Sequence, residues 1–178
     1  MAILEILKLP DPRLKQVADE VTRFDDELHA FITDLEETRQ TGPAAVGIAA
    51  PQVARSQRIV ILDCSTTRKP VPNHGHLILV NPEITEWDGF ELGREGCLSV
   101  PDYTGNVIRA ERIKVRSQDP QGEEHEFEME GFEARALQHE VDHLDGILFI
   151  DRLVSRRTDL FQRKVYQKGG KKGDASAK

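Results

Sequence analysis

The sequence predicts an α+β fold, with antiparallel or mixed sheets packed around a central helix and a further helix near the C-terminus. Three observations predict it. Apolar runs and alternating segments of strand length crowd the middle of the chain. Helical periodicity appears near the N-terminus, after the last strand and again near the end. At 178 residues the chain has the length of one domain with a substantial core.

The elements follow in order. Pro10-Asp11-Pro12 makes an early turn. Asp25 or Asp26 can cap a helix whose Leu28, Phe31, Ile32 and Leu35 recur at helical spacing, and Thr41-Gly42-Pro43 stops it. Arg58-Ile59-Val60-Ile61-Leu62-Asp63 and Leu77-Ile78-Leu79-Val80 read as buried strands, with a polar loop at 66–75 between them. Arg112-Ile113-Lys114-Val115-Arg116 alternates as a half-buried strand does. Asp119-Pro120-Gln121-Gly122 is a β-turn with Pro at its second position, so 124–129 is expected to pair back as a hairpin. Residues 132–144 have a helical pattern. A last helix is expected from about Thr158 through Phe161 and Val165 to Gln167, before Gly169-Gly170. Residues 1–168 are expected to form a single catalytic domain, and the small, polar and charged residues 169–178 a disordered basic tail.

Composition narrows the function. Hydrophobic residues make up 38% and charged residues 31%, the balance of a soluble globular protein. Met1 opens onto a mixed charged segment without a long apolar run, so neither a secretory signal nor a membrane span is expected. Cys64 and Cys97 are too few for a disulfide framework and are expected to be reduced, in a cytoplasmic protein. The net charge of −7 is uneven: residues 151–178 carry nine Lys/Arg against three Asp/Glu, and the rest carries 15 against 28. A basic end on an acidic body reads either as a solvated helix or as a surface that docks on a polyanion such as RNA.

The chemistry gathers at His139-Glu140-Val141-Asp142-His143. Residues i and i+4 of a helix share a face, so both imidazoles can grip one metal ion. Glu140 is rotated by about 100° from His139, a poor place for a third ligand but a good one for moving protons to and from a water. A hydrolytic site needs a third protein ligand and an open fourth position. Cys64, Cys97 and nearby acids are the candidates. Cys64 follows a strand, where a free cysteine is more often a small buried apolar residue. Cys97 lies in Glu95-Gly96-Cys97-Leu98-Ser99, which suits a loop or strand end presenting a sulfur and the N–H beside it. The run Ala45-Val46-Gly47-Ile48-Ala49-Ala50-Pro51-Gln52 lets backbone and ligand approach closely and ends on the polar Gln52.

Together, and in this order, the three segments resemble the peptide deformylase family, which is marked by a Gly-x-Gly-x-Ala-Ala-x-Gln run, a Glu-Gly-Cys-x-Ser run and a His-Glu-x-x-His helix. One departure is plain: Ala45 stands where the first glycine is expected. The resemblance extends from Leu9-Pro10-Asp11-Pro12 to Leu148-Phe149. It implies that Cys97, His139 and His143 bind a metal, with ferrous iron the working ion and nickel, cobalt or zinc able to replace it. It implies that Glu140 is the general base and then acid, and that Gln52 and the Leu98 N–H stabilise an oxyanion. The implied substrates are formyl-methionyl nascent peptides. Their methionine is expected against Val46, Gly47, Gly96, Leu98, Phe132 and Arg135, with the Arg135 stem packed and its head in water. Action on chains leaving the ribosome is also implied. Arg152, Arg156, Arg157, Arg163, Lys164 and Lys168, on and around the expected C-terminal helix, would supply the docking charge. Two other readings compete: an endopeptidase using the same helix with a downstream third ligand, and a closed four-ligand binding module that would need Cys64.

Overall fold

The computed structural model describes residues 2–163. Helix α1 (Asp26–Thr41) is capped by Asp25, whose carboxylate accepts from the Leu28 N–H at 3.0 Å. Leu28, Phe31, Ile32 and Leu35 form its buried face. Pro43 bars the helix from continuing. Gly42 has an ordinary φ of −75°, and its smallness has another cause: a Cβ there would stand 3.0 Å from both Ala45 Cβ and a Leu98 methyl.

One sheet has the order β1 (Gly47–Ala49), β2 (Ile59–Asp63), β3 (His76–Asp88), β6 (Arg112–Gln118) and β7 (Glu124–Glu130), every neighbour antiparallel. Helix α2 (Gly131–Leu144) packs on one face and α1 on the other. The continuous apolar run of β2 is explained by this double covering. Val60 and Leu62 pack with Leu137 and Leu144 of α2, whereas Ile59 and Ile61 pack with Ile32 and Leu35 of α1. Strand β3 runs well past the expected 77–80 because a register shift after Val80 absorbs Pro82. Asn81 takes a φ of 50° there, and its side chain bonds both the N–H and the carbonyl of Val21. The expected β6–β7 hairpin is present, closed by the Gly122 N–H donating to the Asp119 carbonyl at 2.9 Å.

A second sheet has the order β4 (Glu91–Cys97), β5 (Val100–Arg109) and β8 (Leu160–Gln162). It brings the segment around Cys97 to the open side of α2, and Cys97 is a strand end, as expected. The α+β class is borne out, with α2 at the centre. The C-terminal helix is not, over the described residues 160–163. After a single turn, α3 (Arg156–Asp159), the chain extends and Leu160–Gln162 pairs with Tyr103–Gly105 of β5. Phe161 and Val165 have helical spacing, but Phe161 lies under the guanidinium of Arg94, 3.7 Å from the ring centroid, and this favours an extended backbone. Arg156 and Arg163 therefore do not share a helix face, and Lys164, Lys168 and the expected tail lie outside the described residues.

Leu137 is fully buried between α2 and the first sheet. Leu137→Ala is expected to lower the unfolding free energy by about 2–5 kcal/mol, read from urea denaturation; a loss below about 1 kcal/mol would show that this layer is not the main core.

Candidate metal centre

Strand β4 ends at Cys97, where its register with β5 shifts and Leu98-Ser99 turn the chain so that Cys97 faces Val100. The Ser99 N–H points at Cys97 Sγ from 3.4 Å. Across the gap, α2 presents His139 and His143 one turn apart, their ring centroids 5.1 Å from each other. His143 Nε2 lies 3.3 Å from Cys97 Sγ. Cys97, His139 and His143 each offer a ligand atom within 4.8 Å of the others, all three buried. Sulfur and imidazole donors in this number suit zinc or a first-row transition metal with one position left open.

The tautomer of His139 is set from outside this trio. Its Nδ1 is 2.8 Å from Glu95 Oε1 and, facing a carboxylate, carries the proton. Nε2 is thereby the nitrogen that would face a metal. The ring also stacks on Phe149 at 6.2 Å. Glu95 receives two bonds from Arg109, each 2.9 Å, and one of 2.8 Å from Arg135. Arg109 also donates to Asp142 at 2.6 Å, and Asp142 accepts from Arg152. Sequence reasoning missed Glu95, Arg109 and Asp142 as site residues. Glu95 and Asp142 stood inside the quoted motifs, but nothing in a linear string pairs them with Arg109.

These neighbours decide the charge states. Burial would push the Cys97 thiol up, but His143 and His139 reverse this and hold it well below its usual value, as a thiolate. Burial raises the Glu140 carboxyl, and the two histidines offset it only in part. Cys64 is a contrast: burial, reinforced by Glu133, pushes its thiol up to about 12. It packs with Val60, Leu62 and Leu137 in the core, an inert thiol apart from the trio.

The trio opens on a cavity of about 440 Å³. Val46, Gly47, Gln52, Gly96, Cys97, Leu98, Phe132, Arg135, His139 and Glu140 all line it, so the expected site residues other than His143 meet at one space. Gln52 is buried and clamped. Its Oε1 accepts from the Ala49 N–H at 3.0 Å, while Nε2 donates to Ser99 Oγ at 3.1 Å and faces Cys97 Sγ at 3.6 Å. Glu140 lies against Gly47, where a Cβ would stand 2.8 Å from Oε1. Glu140 Oε2 is buried and has no hydrogen-bond partner among the described residues. One expectation needs revision. The Arg135 head does not reach water; it is buried, bonded to Glu95 and to the carbonyls of Val107 and Glu91. Ala45, which stands where the first glycine is expected, has no positive φ; the left-handed residue of this loop is Ala44, with a φ of 56°.

Comparison with known proteins agrees with this geometry. The family model described as polypeptide deformylase matches residues 3–159. A peptide deformylase of Acidobacterium capsulatum is 42% identical over 165 residues, covering 93% of this chain and 95% of that one. The crystal structure of peptide deformylase from Thermotoga maritima superposes with a TM-score of 0.79 at 40% identity, over 87% of this chain and 100% of that one. A class I type b peptide deformylase from Acinetobacter baumannii, solved with Met-Ala-Ser bound, gives 0.79 at 40% identity, over 85% and 100%. With the match spanning nearly the whole described chain, this protein belongs to the polypeptide deformylase family.

Proposed function

We propose that this protein removes the formyl group from formyl-methionyl nascent peptides and releases formate, with residues 1–168 as one catalytic domain. The observation that carries the reading is a buried Cys97, His139 and His143 trio opening on a cavity beside a Glu140 oxygen that has no partner among the described residues. In this reading Cys97, His139 and His143 hold one divalent ion, ferrous iron by the family resemblance, and nickel, cobalt or zinc suit the same donors. When bound, the ion polarises the substrate carbonyl and acidifies water.

The side chains supply the rest. The formyl carbon is placed beside Cys97, and the peptide runs out between β1 and β4, both edge strands with backbone groups available for pairing. Glu140 Oε2 takes a proton from the attacking water and returns it to the nitrogen of the departing methionine. The Gln52 carboxamide, fixed by Ala49 and Ser99, and the Leu98 N–H receive the developing oxyanion. Methionine packs in the cavity against Val46, Gly47, Gly96, Leu98 and Phe132, with the Arg135 stem behind it. Such a substrate places the enzyme in the cytoplasm. Among the described residues no helix is long and apolar enough to cross a membrane. Contact with the ribosome through the basic end belongs to the same reading, with exposed Arg156 and Arg157 in place of a continuous helix face.

The direct test is formate release from formyl-Met-Ala, with metal analysis of protein purified without air; iron is the expected ion. Cys97→Ala is expected to lose the metal, while Cys64→Ala keeps about one ion per chain. The opposite pattern would move the site to Cys64. Glu140→Ala is expected to keep the metal and lose at least about 100-fold in kcat, the scale of general acid–base catalysis. Metal loss in that variant, or near-normal turnover, would contradict the role given to Glu140.

A further inference from the structure

Two guanidinium groups stand at the mouth of the metal cavity and take no part in the chemistry above. Arg163 follows β8, and its N–H donates to the Asp102 carbonyl at 2.8 Å. Its side chain lies over Gly96, where a Cβ would stand 2.5 Å from Nη2. It is exposed, and it lines both the metal cavity and the groove that continues past Leu98. Its guanidinium makes no hydrogen bond or ion pair among the described residues.

Arg94 is held near it by uncharged partners. Nε donates to Asn106 at 3.0 Å, Nη1 to Thr104 at 3.3 Å, and the plane covers Phe161. Strand β8 thus supplies Arg163 and also the ring that seats Arg94. The carboxylates lining the cavity are Glu95 and Glu140, both buried. Glu95 is already matched by Arg109 and Arg135. The mouth is therefore locally positive on an acidic protein body.

We propose that Arg163, with Arg94 beside it, makes this enzyme select formyl-methionyl peptides bearing an acidic side chain in the residues after methionine. The proposal rests on the deformylase reading. A strand advances by about 3.3 Å per residue. A peptide with its formyl group at Cys97 and its chain along β4 brings its second and third residues level with Gly96 to Arg94. A carboxylate there meets a guanidinium with no partner among the described residues, and a lysine meets a like charge. Both arginines touch water, so the effect is moderate and screened by salt.

The test compares kcat/KM for formyl-Met-Ala-Ser, formyl-Met-Ala-Glu and formyl-Met-Ala-Lys, and for formyl-Met-Glu-Ser and formyl-Met-Lys-Ser, on metal-loaded protein. Glutamate is expected to exceed lysine by about three- to tenfold at one position or both, mainly through KM, with the ratio falling toward one at high salt. Arg163→Gln is expected to erase the ratio, Arg163→Glu to invert it and Arg163→Lys to keep most of it. A purely structural role for Arg163 would scale all peptides alike and leave the ratio intact, which overturns the proposal. Formate release from every peptide without a preference overturns the selectivity alone. No formate from any peptide overturns the deformylase reading and the selectivity with it.

Discussion

The Glu95 carboxylate, sunk among Arg109, Arg135 and His139, is the interaction on which the site depends. It joins β4, β5 and α2 at one point. A lone buried carboxylate would cost several kcal/mol, and so would buried Arg135 without it. The group is tolerable only as a set, and the set has one geometry. That geometry places β4 beside α2, which puts Cys97 within reach of His143. It also fixes the His139 proton on Nδ1. Asp142 extends the same logic, since it stands between the two histidines in sequence and accepts from Arg109 and Arg152.

The arrangement has a pH consequence with a definite sign. Burial would raise the Glu95 carboxyl, but Arg109 and His139 outweigh it and hold the group far below the usual carboxylate range. Its folded value is depressed, so its contribution to stability is fully present above the unfolded value of about 4.3 and is lost as pH falls through the folded one. Mild acid therefore leaves this anchor charged.

The legible parts of the sequence were those governed by local periodicity. Two histidines four residues apart on a helix declare their shared face, and β2, with Ile59, Val60, Ile61 and Leu62, declares a strand covered on both sides. Strands β4 and β5 were harder to see because their pattern is inverted. Glu95 and Arg109 point inward at 7% and 5% exposure, while Leu92 and Ile108, paired across the strands, face solvent at 62% and 48%. A hydrophobic-inside rule misreads such a segment, and the ion pairs that reverse it connect residues 14 or more apart. The Cys97 motif was recognised by resemblance, but the charge network behind it was not. At the C-terminus, Leu160–Gln162 pairs with β5 where a helix was expected, with Phe161 under Arg94, and the arginine that follows β8 into the cavity came from the fold alone.

The most direct measurement is the metal affinity of Glu95→Gln, which keeps the side-chain shape and removes the charge. The account predicts a folded protein that binds its ion about 10- to 100-fold more weakly, as losing the partner of a ligating histidine does. It also predicts an unfolding free energy lower by about 3–5 kcal/mol, because buried Arg135 loses its counter-charge and buried Arg109 is left with Asp142 alone. Unchanged affinity in a stable Glu95→Gln protein would contradict it, and would mean that Cys97, His139 and His143 hold their geometry without the buried carboxylate.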